Sequence, residues 1–223
     1  MCGLSVCEFN DGLHIIVDKI VERKPEDVIV VAVAGGSCSG KSYLCERLCE
    51  ILKSLGIPQT RFVLDDYFRD IDDSLLPVGG NGEPLFDTPK SYRESEIEEH
   101  LIALIAGKPI NSPVYDLERN IRVDGRTINK NPEKVIIVDG LFAIRVVRNI
   151  NVLRFCVFVE ASSSIRLERR IRRDMKKFNI DSEIIIRVFW DLIEPAHLKY
   201  IQPQKIHADL VIKAKKGGEK CHL

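Results

Sequence analysis

Apolar and polar residues alternate along the chain in blocks that predict strands and helices in turn. Five short apolar runs have the length and composition of buried strands, and they lie at 28–34, 61–64, 135–138, 154–160 and 208–213. Residues spaced for one helical face lie between and around them, at 13–21, from 42 to a stop at Gly56 and Pro58, and at 92–106, 162–177 and 181–200. This alternation predicts an α/β fold with a five-stranded parallel sheet.

Other segments predict irregular structure. Residues 70–89 are rich in Gly, Pro and acidic residues, and a loop of this length in a compact domain is usually functional or disordered. Asp124-Gly125 lies between alternating segments within 113–128, which predicts a β-hairpin that turns there. Pro195 predicts a break in the last helix, and the Lys- and Gly-rich tail after residue 213 is expected to be frayed.

The first predicted strand leads into a segment that matches the phosphate-binding P-loop. Residues 35–42 read Gly-Gly-Ser-Cys-Ser-Gly-Lys-Ser and fit G-x-x-x-x-G-K-[ST] between a strand and a helix. Successive N–H groups of such a loop converge on one anion, and the helix N-terminus adds its positive dipole end. Lys41 would reach the β- and γ-phosphates, and the Ser42 hydroxyl would bind Mg²⁺. The alternative is a glycine-rich turn that matches by chance. The residues expected to bind the nucleotide are Gly35, Gly36, Ser37, Cys38, Ser39, Gly40, Lys41, Ser42 and Tyr43.

Two aspartates follow predicted strands and should lie at the same sheet edge as the P-loop. Asp139 closes the strand 135–138, as a carboxylate that holds Mg²⁺ opposite Ser42 would, although it could instead be a helix cap or turn residue. Asp65 follows the strand 61–64 and is the candidate base, because transfer to an alcohol needs a carboxylate that accepts the hydroxyl proton. Its neighbour Asp66 should point the opposite way if the segment is extended. Ser42, Asp65 and Asp139 form the predicted metal site.

A stripe of arginines follows the fourth predicted strand. Arg166, Arg169, Arg170 and Arg173 are spaced for one face of the helix 162–177. A charged stripe of this kind is often only a solvated face. In a P-loop domain it could instead form a lid that brings guanidinium groups to the transferring phosphoryl group, for which their planar, forked shape is suited.

The overall composition excludes several classes of protein. The chain has 223 residues, and 33 Lys and Arg balance 33 Asp and Glu, so bulk nucleic-acid binding is not expected. The seven cysteines include no C-x-x-C pair, which argues against a zinc site or disulfide framework and predicts a reducing, cytoplasmic setting. No apolar run approaches 18 residues and the first residues do not read as a signal peptide, so membrane association is not expected.

Taken in order, these segments resemble the uridine kinase and phosphoribulokinase family of P-loop kinases. The resemblance runs from about residue 28 to residue 213, and the ordered set is much more specific than the P-loop alone. The segments that carry it are Ala-Gly-Gly-Ser-Cys-Ser-Gly-Lys-Ser (34–42), Leu-Asp-Asp-Tyr-Phe (64–68), Leu-Phe-Asp-Thr-Pro (85–89), Ser-Pro-Val-Tyr-Asp (112–116), Val-Ile-Ile-Val-Asp-Gly (135–140), Arg-Arg-Ile-Arg-Arg-Asp (169–174) and Ala-Asp-Leu-Val-Ile (208–212).

For phosphoryl transfer, the resemblance implies four roles beside that of Lys41. Asp65 matches the family's catalytic aspartate. Arg170 and Arg173 match lid arginines. Asp139 stands where uridine kinases usually have Glu, so the metal carboxylate is kept but shortened.

For the acceptor, the resemblance implies a modified pocket. Asp87 matches an aspartate that binds the ribose hydroxyls, and Tyr115 matches an aromatic residue at the nucleoside. Asn120 and Arg122 stand at the His and Arg positions of the family's Tyr-Asp-x-x-x-His-x-Arg segment. The side chains at three further substrate positions, where relatives have Arg, Arg and Gln, are Phe178, Ile180 and Val188.

The resemblance therefore implies a kinase that uses ATP and Mg²⁺ to phosphorylate a hydroxyl of a small molecule, most simply the 5′-hydroxyl of a nucleoside. One domain is expected over residues 1–223, with a core at 28–213, substrate-side insertions at 70–128 and a lid at 162–180. Family members are often oligomers, so a homo-oligomer is one expected assembly. Two alternatives stay open: a kinase for another small alcohol or a sugar phosphate, for which Arg119, Arg122 and Arg126 could bind the phosphate, and a nucleotide-binding regulatory protein without transfer.

Overall fold

The computed structural model describes residues 5–80 and 82–214, and a six-stranded parallel sheet lies at its centre. The strands, in spatial order, are β1 (Ser5–Cys7), β8 (Leu210–Lys213), β7 (Leu153–Glu160), β2 (Ile29–Gly35), β6 (Val135–Asp139) and β3 (Gln59–Val63). A separate antiparallel pair consists of β4 (Ile110–Asp116) and β5 (Ile121–Lys130). The α/β class and the parallel sheet are therefore confirmed.

Helices cover both faces of this sheet. They are α1 (Phe9–Glu22), α2 (Lys41–Ser54), α3 (Glu94–Ile105), α4 (Ala143–Val147), α5 (Ser163–Phe178), α6 (Ser182–Val188) and α7 (Glu194–Ala196). Short 3₁₀ turns are found at Leu64–Tyr67, Pro89–Ser91 and Gln202–His207, and π-helical turns at Phe189–Ile193 and His197–Ile201.

The central strands are apolar on both sides because each side packs against helices. Val30 and Val138 belong to the apolar layer that includes α3 and α4, whereas Val31 and Ile137 belong to the layer that includes α1 and α2. Full burial of one such side chain contributes roughly 1.5–3 kcal/mol, so a slip in strand register would be costly. The resulting register pairs Val33 of β2 with Asp139 of β6, which places the P-loop and Asp139 at one sheet edge.

The predicted number of five strands is wrong by one. β1 pairs with β8 through three residues, Ser5 with Leu210, Val6 with Val211 and Cys7 with Ile212. A strand of three residues is too short to show an alternating pattern in the sequence, so only its pairing in the fold reveals it.

The predicted hairpin exists, but its turn is not at Asp124-Gly125. The ladder pairs Pro113 with Thr127 and Tyr115 with Arg122, so β5 has extra residues between these pairs and bulges there. Gly125 has a φ of +65°, the left-handed conformation that a bulge can require. The chain reverses between β4 and β5, where Asn120 has a φ of +55°.

The predicted break at Pro195 is also wrong, because the helical backbone continues through it. α7 contains this proline and lies between the two π-helical turns. Proline disrupts an α-helix because its ring meets the carbonyl four residues back, and π turns change that hydrogen-bond spacing. Most of the tail that we expect to be frayed lies outside the described residues.

Candidate active site

The P-loop has the backbone geometry of a phosphate cradle. It joins β2 to α2, with Gly40 at a φ of +107° immediately before the helix and Cys38 at a φ of +61°. The Ser39 N–H donates to the Gly36 carbonyl at 3.0 Å, and the Lys41 ammonium donates to the same carbonyl at 3.0 Å. The loop is therefore folded back on itself, with the first turn of α2 beneath it.

Two glycines of the loop are required by close approaches. A Cβ at Gly35 would lie 2.4 Å from the Val159 carbonyl oxygen. A Cβ at Gly36 would lie 2.9 Å from both Arg166 Cδ and His197 Nδ1. Because real Cβ atoms do not approach other atoms this closely, neither position accepts a side chain without a shift of its neighbours. These neighbours belong to β7, α5 and the π-helical turn His197–Ile201.

Asp139 lies next to Ser42, as a shared role toward a cation requires. Its carboxylate is 3% exposed, with Oδ1 3.5 Å from the Ser42 hydroxyl and Oδ2 2.6 Å from the Arg61 guanidinium. Mg²⁺ is usually held by one or two carboxylates together with phosphate oxygens and water, so a hydroxyl and one carboxylate fit it. Among the described residues no three His, Cys, Asp or Glu side chains form a cluster of ligands. The membership of Asp65 in the metal site stays a prediction.

Asp65 and Asp66 have different partners, but an extended backbone is not the cause. They lie in the 3₁₀ turn Leu64–Tyr67 rather than in an extended segment. Asp66 faces Lys130, with 3.8 Å between the charged atoms. The hydroxyl of Tyr92, which is 2% exposed, donates to Asp65 Oδ1 at 3.4 Å.

The electrostatic environment of Asp65 suits a proton acceptor. Burial raises its pKa; Lys41 opposes this, and the nearby carboxylates of Asp139 and Asp87 add to it, so that the pKa is about 6. A base with a pKa close to the working pH is ionised and still takes up a proton readily. Burial also raises the pKa of Asp66, which Lys130 and Arg61 oppose.

Asp87 lies in the same group of charges. Burial raises its pKa, and Arg170, Lys41 and Arg173 act in the opposite direction. Its Oδ2 is buried and has no hydrogen-bond partner among the residues that the structure describes. A buried carboxylate oxygen without a partner is costly, so this atom is a candidate to accept a bond from a bound ligand.

The arginine helix α5 lies directly over the P-loop. Its N-cap is Ser162, whose hydroxyl accepts from the Ile165 N–H. Arg169 donates to the Ser39 carbonyl at 2.9 Å, and Arg170 donates to the Ser37 hydroxyl at 3.1 Å. This stripe is therefore not a uniformly solvated face.

Further ion pairs hold these arginines. Asp174, only 3% exposed, accepts from Arg173 at 2.6 Å and lies 3.1 Å from Arg170. Arg166 is 1% exposed; it pairs with Glu194 and its guanidinium lies 5.4 Å from the ring centre of Phe189.

The other residues predicted for the acceptor each have a local partner. Tyr115 is 8% exposed, packs against Phe68 and donates its hydroxyl to the Arg69 carbonyl at 2.9 Å. The Asn120 carbonyl accepts from the Ile71 N–H at 2.8 Å. Arg122 forms an ion pair with Glu96 at 2.6 Å. Their contact with an acceptor stays a prediction.

The sequence assigns no role to three residues of the site. Arg61 binds the Asp139 carboxylate, Tyr92 binds Asp65, and His197 contacts the P-loop at Gly36. Burial lowers the pKa of His197 to about 4, and the charge of Arg166 adds to this effect. None of the three belongs to a sequence motif that we recognise. Arg61 lies on β3, four residues before Asp65, but nothing in that segment indicates its partner.

One cavity of the described residues does not coincide with this site. It has a volume of about 550 Å³ and lies between α3, α4 and the 3₁₀ turn Gln202–His207. Ion pairs and hydrogen bonds occur within its walls, between Arg145 and Glu94 and between Arg148 and His207. No P-loop residue lines it.

The fold and the site together define the class of P-loop proteins with an α/β core. Solved structures with the same fold include a suspected fructose transport system kinase from Silicibacter sp. TM1040. Its TM-score is 0.72 at 19% identity, and the match covers 92% of this chain and 98% of that one. A D-glycerate 3-kinase from Cryptococcus neoformans has a TM-score of 0.62 at 13% identity, and the match covers 94% of this chain and 97% of that one.

Sequence comparison identifies the family. Residues 30–217 match the profile of the Phosphoribulokinase / Uridine kinase family, and the chain belongs to that family. It is 30% identical to a uridine kinase of Oceanobacillus iheyensis over 90% of both chains. It is 31% identical to a uridine kinase of Streptococcus agalactiae over 86% of this chain and 88% of that one. Within the described residues no helix is both long and apolar enough to cross a membrane.

Proposed function

We propose that this protein transfers the γ-phosphoryl group of ATP to a hydroxyl of a small molecule, most simply the 5′-hydroxyl of a nucleoside. The observation that carries the proposal is the position of Asp65. A buried carboxylate with a pKa of about 6 lies within the charge field of P-loop Lys41 and of Asp87. The family relatives named as uridine kinases support the nucleoside acceptor.

In the proposed reaction the acceptor oxygen forms a bond to the γ-phosphorus while the bond to the ADP oxygen breaks. Asp65 accepts the hydroxyl proton, and Tyr92 holds its carboxylate in place. Lys41, Arg170 and Arg173 stabilise the charge on the phosphoryl oxygens. Mg²⁺, when bound, would neutralise phosphate charge, and Ser42 and Asp139 would hold it.

The acceptor side favours a neutral diol over a phosphorylated alcohol. Asp87 offers a carboxylate oxygen with no partner among the described residues, which suits two ribose hydroxyls. Arg122, which could have received a phosphate, is held by Glu96 at 2.6 Å. We propose that Tyr115 and Asn120 complete this side, so that a sugar phosphate is the second choice.

The protein should discriminate only weakly among the bases of different nucleosides. Pockets discriminate by pairing polar groups, and an unpaired buried group is what rejects the wrong ligand. At the positions that contact the base or the substrate in relatives, Phe178, Ile180 and Val188 offer no side-chain hydrogen bond, and Asn120 is shorter than His. Uridine and cytidine are therefore expected to be poor substrates, or no better than other nucleosides.

The test is ADP production with and without a panel of acceptors under one set of conditions. The panel contains uridine, cytidine, purine nucleosides, nicotinamide riboside, a sugar phosphate and non-nucleoside alcohols, and mass spectrometry identifies the phosphorylated product. The expected result is acceptor-dependent ADP formation with nucleosides and weak discrimination among bases.

Two results would contradict the proposal in different ways. ADP formation that no acceptor stimulates would favour a nucleotide-binding regulatory protein. The second result is a kcat/KM for uridine above about 10⁵ M⁻¹s⁻¹, which is within the ordinary enzyme range, together with strong rejection of purines. This result would show that contacts at other positions recognise the base.

A further inference from the structure

Arg61 is a half-buried cation at the edge of the sheet, beside the Mg²⁺ side of the site. It lies on β3, and its side chain is 28% exposed. The Arg61 backbone pairs with Ile137, which lies two residues before Asp139 on the neighbouring strand β6. The side chains of Arg61 and Asp139 therefore lie on the same face of the sheet, the face covered by α2. The sequence motifs assign it no role.

The carboxylate of Asp139 divides its two oxygens between Arg61 and Ser42. Oδ2 accepts from an Arg61 Nη atom at 2.6 Å, and Oδ1 lies 3.5 Å from the Ser42 hydroxyl. Rotation of this carboxylate would break the Arg61 contact. The ion pair therefore fixes which oxygen is turned toward the P-loop serine.

Arg61 is itself held from the opposite side by helix α2. Its other Nη atom lies 3.5 Å from Glu46. The Nη atom that binds Asp139 also donates to the Ser42 carbonyl at 3.5 Å. A guanidinium presents several donors in one rigid plane, so it can bind a carboxylate and the start of the helix at once. The same group thus connects Ser42 and Asp139, two of the three residues predicted to hold Mg²⁺.

We propose that Arg61 is a positioning residue that orients the Asp139 carboxylate for Mg²⁺ in the nucleotide complex. The inference rests on the proposed function for the presence of Mg²⁺ but not for the acceptor. Groups that orient metal ligands typically change metal affinity or activity by about 10–100-fold when they are removed.

Two other roles would give different results. An ion pair that only stabilises the fold would leave metal affinity unchanged. A cation that mainly repels a second cation would raise metal affinity when it is removed, because like charges at short range oppose each other.

The experiment measures Mn²⁺ affinity of the ADP complex, from the electron paramagnetic resonance signal of free Mn²⁺. Arg61→Met keeps most of the side-chain length and removes the charge and the donors. We expect it to weaken Mn²⁺ affinity by about tenfold or more. Arg61→Lys keeps the positive charge but loses the forked guanidinium, so we expect a smaller loss of Mn²⁺ affinity. This variant tests the proposal if Arg61→Met does not fold.

Matched variants separate positioning from stability. Arg47→Met removes another arginine, one on α2 that pairs with Glu50, and should leave Mn²⁺ affinity within about twofold. Glu46→Gln removes the second partner of Arg61 and should also have little effect. In an Asp139→Asn background, Arg61→Met should cause no further loss, because interacting residues are not additive. ADP affinity in EDTA reports whether the P-loop is intact.

The proposal is overturned if Arg61→Met leaves Mn²⁺ affinity within about twofold or tightens it, or if wild-type protein with ADP binds no Mn²⁺. Equal losses in Arg61→Met and Glu46→Gln would assign the effect to the attachment of α2 instead, and would also overturn it. Because the assay needs neither acceptor nor transfer, a lack of kinase activity with normal Mn²⁺ binding would contradict the proposed function alone.

Discussion

On the nucleotide side of the site, polar groups follow the carboxyl ends of the central strands β2 and β6. On the acceptor side, they lie in the loop and the β4–β5 pair that connect β3 to β6. Asp139 ends β6, whose residues are all buried, and Lys41 begins α2 after the loop that follows the equally buried β2. Arg122, by contrast, lies on β5, most of whose residues are exposed or half-buried.

The two sides also treat their charges differently. Over the P-loop, Arg169 and Arg170 contact backbone and hydroxyl groups of the loop itself. On the acceptor side, between the 3₁₀ turn Leu64–Tyr67 and α3, Arg69 pairs with Asp73 and Arg93 pairs with Asp70. The arginines of α5 thus contact the loop in addition to their carboxylate partners Asp174 and Glu194, whereas the arginines on the acceptor side pair with carboxylates of their own segment. Mutations on the nucleotide side should therefore have the larger effects.

The largest expected effect is at Asp65, where the two sides meet. Asp65→Asn keeps the size and polarity of the side chain but cannot accept the proton. We expect kcat to fall by about 10²- to 10⁴-fold, the usual contribution of a positioned base, with Mg·ATP binding largely retained. Steady-state kinetics with the best acceptor and nucleotide titration measure the two quantities.

Asp66→Asn is the matched control for that change. Asp66 faces Lys130 rather than Lys41, so a loss of less than about tenfold is expected. If Asp66→Asn caused the greater loss, the assignment of the base within this pair would be wrong.

The next effect concerns the charge at the P-loop. Lys41→Ala removes the ammonium group that would follow the γ-phosphoryl group and leaves the backbone N–H groups in place. A fall in turnover of about 10²- to 10³-fold is expected, with a smaller loss of ADP affinity. The exposed Lys53, in the last turn of α2, provides the control Lys53→Ala. Turnover of Lys41→Ala within about twofold of wild type would exclude the P-loop from the mechanism.

The third effect is a dependence on pH. The base must be ionised, and burial raises the pKa of Asp65 to about 6, so kcat/KM should fall about tenfold per pH unit below that value. A profile that stays flat down to pH 4.5 would contradict a base with a raised pKa.

The same group has a consequence for stability with a defined sign. A carboxyl whose pKa is higher in the folded state favours folding when protonated, and this contribution is lost as pH rises through about 6. Asp65→Asn should therefore unfold at a higher temperature than wild type at pH 7.5, with a gain on the order of 1–3 kcal/mol. The gain should shrink toward pH 4. Thermal unfolding at both pH values measures it.

The smallest effect is expected on the acceptor side. We expect Arg122→Met and Glu96→Gln each to raise KM for the acceptor by about three- to tenfold, because the family resemblance implies that Arg122 lies at the acceptor and Glu96 holds its guanidinium. Arg119→Met, at an exposed residue in the same hairpin, is the control. A change in stability with unchanged KM would remove Arg122 from the acceptor side.

The sequence predicted the nucleotide side well, because its signals are local. The order of strand, glycine loop and helix around Gly35 and Ser42 requires few long-range contacts, and buried apolar runs located β2 and β6. The positions of Asp65 and Asp139 at one sheet edge followed from the rule that parallel strands end together. Their individual roles stay predictions.

The rest of the fold depends on contacts that a single sequence does not display. The three residues of β1 form a strand only through pairing with β8. Asp124-Gly125 can form either a hairpin turn or a bulge, and the pairing partners decide between them. The contact between Arg61 and Asp139 joins residues 78 positions apart, and nothing in either segment indicates it.

The π-helical turns around Pro195 determine which side chain of this region faces the P-loop. A π turn contains about one residue more than an α turn, as if one residue had been inserted into an ordinary helix. One residue corresponds to a rotation of about 100° around the helix axis. His197 therefore faces Gly36 because of the extra residue in Phe189–Ile193, and deletion of a single position there would turn its ring away from the P-loop.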